Sequence, residues 1–255
     1  IDSFGNLQWT KTFGGPGNDF SKSIYMTPDG SFIVIGNSSS FGTGDFDVII
    51  IKIDSFGNLQ WSRTLDTMND DTVEATYQTI DGGYIIAMST TGGTGLLKLD
   101  SSYNLEWGKF LINLIPKSIY QTSDGGYVVV GGGAPWNDFL VLKLNAFGNL
   151  EWAKTFGSIY GEYASSIYQT SDGGYIIAGG TWEIGNIHDA TLVVRLNSQG
   201  MGADCISKSV SINETTLSLK VGDQIPASSS PIVVVSTIAP SITSQIMASS
   251  QICPY

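Results

Sequence analysis

Apolar and polar positions in this chain alternate in short runs, with no sustained helical spacing. Four runs stand out in the first quarter: SIYMT (23–27), SFIVIGN (31–37), DVIIIKID (47–54) and NLQWSRTL (58–65), each rich in β-branched and aromatic residues. Runs of this length and period are strands with one or both faces buried. The links PDG and SFG between them are turn sequences, since Gly takes a positive φ without the cost of a Cβ. The pattern predicts a four-stranded antiparallel meander.

The meander recurs. GNLQW (5–9), GNLQW (57–61), YNLEW (103–107) and GNLEW (148–152) set a tryptophan at spacings of 52, 46 and 45 residues. A second anchor keeps step: PDGSFIVIG (28–36), IDGGYIIAM (80–88), SDGGYVVVG (123–131) and SDGGYIIAG (171–179). One small sheet cannot bury both of its faces, so units of this size pack face to face about an axis as blades. The expected fold class is an all-β β-propeller of four four-stranded antiparallel blades, at about 20–65, 73–111, 117–157 and 164–200, within a domain spanning 1–204. Tyr25, Tyr77, Tyr120 and Tyr168 occupy equivalent places on the first strands, and Trp9, Trp61, Trp107 and Trp152 on the fourth. Both sets read as packing between blades.

The fourth unit stops after its third strand, ATLVVRLN (190–197), and residues 6–13, NLQWTKTF, have the sequence of the strand it lacks. The N-terminal strand is therefore expected to complete the last blade and close the ring, which hides edges that invite aggregation. High effective concentration favours closure within one molecule. Two alternatives stay open: the strand completes the last blade of another copy, giving a head-to-tail chain, or the chain is a segment of a larger ring.

WTKTFGGPGNDFSKSIYMTPDGSFIVIGNSSSF (9–41) resembles the seven-bladed β-propeller repeat family, in which a tryptophan is followed by GGxGxD, a strand, a turn, and an apolar strand ending in Gly. Gly14, Gly15, Gly17 and Asp19 carry the likeness in the first copy, and it extends through four copies over about residues 1–200. The resemblance implies an extracellular propeller and no single activity.

Charge narrows the partners. With 12 basic and 23 acidic residues the net charge is −11, which opposes nucleic acid and anionic bilayers. No run approaches the ~20 apolar residues of a membrane helix, so neither nucleic-acid binding nor membrane insertion is expected. Only 14% of residues are charged, against roughly a quarter in an average soluble domain, and such a surface points to an extracellular or cell-surface location. Lacking an initiator Met or signal peptide, the chain reads as a processed form or a segment of something longer.

Residues 205–255 form a β-rich tail: VSINETTLSLKV (210–221) alternates as a strand does, and nothing after Asp223 is charged. Cys205 and Cys253 would close a 49-residue loop as a disulfide, worth about 4 kcal/mol in the chain-entropy account; two separate buried thiols are the alternative. The tail is expected to wrap its own propeller or to add a strand to a neighbour's sheet.

Candidate chemistry sits in the loops. The links between second and third strands vary, as in GGAPWND (132–138) and GTWEIGNIHD (180–189), and share the face that carries recognition. Trp136, Asp138, Trp182, His188 and Asp189 are ligand-binding candidates, indoles beside polar groups that stack on a sugar ring or simply cap the blade rim. Asp19, Asp71 and Glu162 recur at one loop position, as turn caps or as weak metal candidates. His188 is the only histidine and no G-x-S-x-G elbow occurs, so no catalytic residue, resident metal or cofactor is expected. Asn37 and Asn213 open glycosylation sequons. The expected function is an extracellular, non-enzymatic structural or adhesive protein, self-assembling into a surface layer or filament through strand exchange or its tail. Its partner would be itself or another surface protein or glycan. A carbohydrate-binding propeller is the second reading and a propeller hydrolase the third.

Overall fold

The computed structural model describes residues 1–42, 45–67, 70–111, 114–133, 138–157, 161–184, 187–202, 207–209, 214–216, 220–224 and 228–229, with the backbone alone at 183–184, 187–189 and from 207 onward. The protein is all-β, with no helix among the described residues. After the short β1 (Thr12–Phe13) come β2 (Asp19–Met26), β3 (Phe32–Ser38), β4 (Asp47–Ile53) and β5 (Leu59–Asp66), the meander of sheet 1. Sheet 2 consists of β6 (Thr72–Gln78), β7 (Tyr84–Thr90), β8 (Gly93–Leu99) and β9 (Leu105–Leu111); sheet 3 of β10 (Leu114–Gln121), β11 (Tyr127–Gly133), β12 (Asp138–Leu144) and β13 (Leu150–Phe156). Sheet 4 has three strands, β14 (Glu162–Gln169), β15 (Tyr175–Ile184) and β16 (Ile187–Leu196). The four repeated antiparallel sheets are those expected.

The repeated letters are turn chemistry. In each turn after the first strand a threonine hydroxyl donates to an aspartate two residues on, and the same carboxylate accepts a backbone N–H two residues later. Thr79, Asp81 and Gly83 do this in sheet 2, with the N–H at 2.9 Å, and Thr122, Asp124 and Gly126 repeat it in sheet 3. Such a side chain closes the turn in place of a backbone group. In the turn before the fourth strand, Gly57, Gly148 and Gly200 hold positive φ, and the tryptophan of the preceding unit lies on each. A Cβ at Gly148 would stand 2.8 Å from the Trp107 ring. Tyr103 takes the corresponding place in sheet 2 with φ 67°, its ring 4.7 Å from that of Trp61.

Strand alternation gives each sheet a forward and a rear face. The forward face of sheet 1 (Ile33, Ile35, Val48, Ile50) packs on the rear of sheet 2 (Tyr84, Ile86, Leu97, Leu99). The forward face of sheet 2 (Ile85, Ala87, Leu96) packs on the rear of sheet 3 (Val129, Leu140, Leu142). That of sheet 3 (Val128, Val130, Val141) packs on Ile167, Ile177 and Leu196 of sheet 4. Each such side chain, taken fully out of water, contributes about 2 kcal/mol. Rings bridge the seams: Tyr77 to Tyr120 at 4.8 Å and Tyr120 to Tyr168 at 4.6 Å. At the first seam the Tyr25 hydroxyl bonds Thr76 at 2.6 Å.

The described strands of the tail lie along the chain's own sheets, the first of the two expected courses. Residues 207–229 supply further strands to sheets already built: β17 (Ser207–Ser209), β18 (Glu214–Thr216), β19 (Lys220–Gln224) and β20 (Ser228–Ser229). They pair in turn with β13, β9, β5 and β1, running back along the array. The register is regular: Phe156 faces Ser207, Leu111 faces Glu214, Leu65 faces Val221 and Phe13 faces Ser228, a step of seven residues per sheet. Cys205, Cys253 and Asn213 lie outside the described residues.

One expectation is corrected. Residues 6–13 do not form the fourth strand of sheet 4; β1 pairs with β20, and no pairing joins β1 to β16 among the described residues. Contacts to sheet 1 hold β1 there: Trp9 Nε1 donates to the Ser55 carbonyl at 3.2 Å, its ring lies on Gly57, and Phe13 packs with Ile49, Ile51 and Ile53 on the rear face.

Candidate functional site

The recurrent acids are first of all turn groups. Asp19 accepts the Gly15 N–H at 2.9 Å and the Ser40 hydroxyl at 2.7 Å, fixing the GGPGND loop against the end of β3. Gly14 is obligatory there, since a Cβ would fall 2.4 Å from the Asp19 carboxylate. Glu162 accepts from Thr181 at 3.4 Å. The third member, Asp71, sits differently. It accepts the Thr67 N–H at 2.9 Å and hydroxyl at 2.7 Å, and its own N–H donates to the Phe46 carbonyl at 2.6 Å.

That arrangement brings Asp71 to Asp47 and Asp66, at the start of β4 and the end of β5. Carboxylate oxygens of the three lie within 4.8 Å of one another, and all three residues are buried. Sequence comparison of the repeats groups Asp71 with Asp19 and Glu162; the fold instead groups it with two acids of the preceding sheet. Hard oxygen ligands of this kind suit a cation such as Ca²⁺. Burial, with the neighbouring Asp66 adding to it, pushes the Asp71 carboxyl above its usual range.

A second constellation escaped the reading of the sequence. Lys98 and Lys143 project from the forward faces of sheets 2 and 3 and are almost fully buried, their side chains 3% and 4% exposed. Each ammonium is clasped by two carboxylates, Lys98 by Asp81 at 2.8 Å and Glu106 at 2.9 Å, Lys143 by Asp124 at 2.8 Å and Glu151 at 2.9 Å. Burial alone would raise Asp81 and Asp124, yet the ammonium, the turn threonine and the backbone N–H outweigh it and hold both at about 2. Burial would lower Lys143, but its two carboxylates raise it. The turn aspartate of the DGG motif thus has two tasks, closing the turn and neutralising a buried cation. The sequence signal is an apolar strand interrupted by one lysine at a fixed place, LLKL (96–99) and VLKL (141–144).

The loop-face candidates do not assemble into a described site. Trp136 lies outside the described residues. Asp138 opens β12 and is set against Gly157, where a Cβ would fall 2.1 Å from its carboxylate. The expected loop 180–189 is largely strand: Thr181 pairs with Ala190 and Glu183 with His188, extending the β15–β16 hairpin. Trp182 is 55% exposed on that hairpin, while the side chains of His188 and Asp189 are not described. Asn37 is engaged in the first seam, its side-chain Oδ1 accepting the Val73 N–H at 2.7 Å.

Exposed apolar side chains lie on both end faces. On the rear of sheet 1, Ile24 is 60% and Met26 67% exposed; on the forward face of sheet 4, Ile176 is 40% and Val193 61% exposed. Inside the array Ile119 and Ile167, equivalent to Ile24, and Val128 and Val141, equivalent to Ile176 and Val193, are buried. No protein-family model matches this chain, and no curated protein matches it.

Proposed function

We propose that this chain is an extracellular, non-enzymatic structural and adhesive protein whose sheets are the blades of a propeller-type scaffold of the seven-bladed repeat family, and that it works by association through its sheet faces. The observation that carries this reading is the pair of end faces just described. Contiguous exposed apolar surface on a sheet marks a place of association, and here the free outer edges of sheets 1–3 are already covered by tail strands. Edge pairing, the usual hazard of open sheets, is blunted, while Ile24 and Met26 on the rear of sheet 1 and Ile176 and Val193 on the front of sheet 4 stay exposed. A surface with few charges supports a location outside the cell. The test is labelling of intact source cells with an antibody against the folded chain. Label before permeabilisation is expected, and label only after it would contradict the reading.

Carbohydrate binding is a second reading, favoured by the exposed Trp182. A glycan array probed with the chain and with Trp182→Ala tests it: a bound glycan lost in the variant supports it, and equal binding by both proteins removes it.

A further inference from the structure

The two ends of the array are complementary halves of one contact. Every internal seam joins a forward face to the next rear face, and the same positions recur at each. Among the described residues nothing lies on the forward face of sheet 4: Ile176, Ala178 and Val193 are exposed where Val128, Val130 and Val141 of sheet 3 are fully buried. Sheet 1 begins with an uncovered stretch of rear face: Ile24 is 60% exposed where Ile119 and Ile167 are 4% and 3%. Tyr77 and Tyr120 each lie against a tyrosine of the next sheet, but Tyr168, 57% exposed, ends the row. A shallow hollow on the rear of sheet 1, lined by Ser21, Lys22, Ser23, Ile24 and Val34, stands where the next such ring would go.

The strands complement each other in the same sense. Sheets 1, 2 and 3 each have five strands, four from the repeat and one from the tail. Sheet 4 has only the first three, and β1 with β20 forms a two-stranded ribbon. By sequence β1 is a fourth strand, and β20 continues the seven-residue step of the tail strands. Trp9 lies on Gly57 as Trp107 lies on Gly148 and Trp152 on Gly200. The ribbon therefore already occupies, relative to sheet 1, the place of the fourth and fifth strands of a preceding sheet. Three strands and two make one complete sheet.

We infer that copies of this chain join head to tail: the forward face of sheet 4 of one copy lies on the rear face of sheet 1 of the next, and its β16 edge pairs with that copy's β1–β20 ribbon. This deepens the reading of the protein as a self-associating scaffold and rests on it. The contact is heterologous, so it yields a closed ring or an open filament according to the rotation between copies. It also explains how the bare edge of β16 is protected.

Sedimentation velocity of the whole chain tests the inference, with Ile24→Lys blocking one face and Val193→Lys the other. Both positions are exposed, and circular dichroism with thermal melting verifies the folds; Met26→Lys and Ala178→Lys repeat the two arms. Wild type is expected to grow beyond a monomer with concentration. Each variant alone is expected to remain a monomer, and an equal mixture of the two to form a dimer and nothing larger, because only one good rear face and one good forward face can meet. A wild type that stays monomeric at every concentration overturns the inference, as does a variant that dimerises alone or a mixture that does not. A monomer on the cell surface would sink the head-to-tail contact and leave the surface role standing; an assembling protein confined within cells would do the reverse.

Discussion

Sheet 3 and sheet 4 carry nearly the same sequence on their forward faces, yet one face is core and the other is surface. Val128, Val130 and Val141 are fully buried, whereas Val193, equivalent to Val141, is 61% exposed. The lysine of sheet 3 is enclosed between two carboxylates, while Arg195 at the same place in sheet 4 meets Asp172 with both side chains more than half exposed. What differs is the neighbour: among the described residues sheet 3 has one in front and sheet 4 has none. In a stacked array the strand pattern decides which residues face forward, but rank in the array decides what that costs or contributes.

The sharpest way to break the comparison is to place the same charge on both faces. Val141→Asp should unfold the chain or cost about 4 kcal/mol or more, because an unpaired carboxylate cannot be solvated between two sheets. Val193→Asp should leave the monomer's denaturation midpoint unchanged. Equal losses would mean that sheet 4 is covered in solution and that the comparison is false. Truncating the tyrosine row comes next: Tyr120→Ala, which loses ring contacts on both sides, should cost about 2 kcal/mol, and Tyr168→Ala, which loses only the contact with Tyr120, about 1 kcal/mol or less in urea titrations of the monomer. The lysines then sharpen it. Lys143→Ala removes a buried stem and its two half-exposed carboxylate partners remain in water, so it should cost about 1 kcal/mol, against no shift in midpoint for Arg195→Ala.

Acidity gives the smallest and most diagnostic effects. Asp81 and Asp124 are held at about 2, below the ordinary 3.8. Their contribution is present above 3.8 and is lost as pH falls through about 2, so acid unfolding should set in across that window and weaken in Lys143→Ala. Asp71 has the opposite sign. Its raised carboxyl favours the protonated form in the fold, so its cost grows as pH rises above 3.8. Asp71→Asn should raise the melting temperature at neutral pH, and the gain should vanish below 3.8. A constant gain at all pH values would show that charge is not the cause.

Much of the scaffold was legible because each repeat obeys local rules: period-two strands, DGG turns and a tryptophan at a fixed offset. The seam tyrosines and tryptophans were readable for the same reason, since aromatic residues at equivalent strand positions have few other uses. The acid trio was not, because Asp47, Asp66 and Asp71 come from two units and meet only when sheet 1 packs on sheet 2. Nor was the hairpin at 180–189, whose variable sequence reads as a loop although Thr181–Ile184 and Ile187–Ala190 continue β15 and β16 by strand pairing. The tail was half readable. Its alternation and lack of charge announced strands, but four short strands seven residues apart carry no side-chain signature, because backbone hydrogen bonds to preceding sheets hold them. That residues 6–13 have the sequence of a fourth strand followed from the repeat, but the expected pairing with sheet 4 did not, since β1 pairs with β20.

The central claim is that four sheets stack in order and that the tail returns along them, adding one strand to each. Amide hydrogen exchange, followed by mass spectrometry on peptides spanning 207–224, tests it most directly. Slow exchange is expected at 207–209, 214–216 and 220–224, and deleting residues 207–255 should speed exchange in β5, β9 and β13 while leaving β3, β7 and β11 protected. A tail that exchanges as fast as an unfolded peptide, or a deletion that leaves the fourth strands unchanged, would contradict the account.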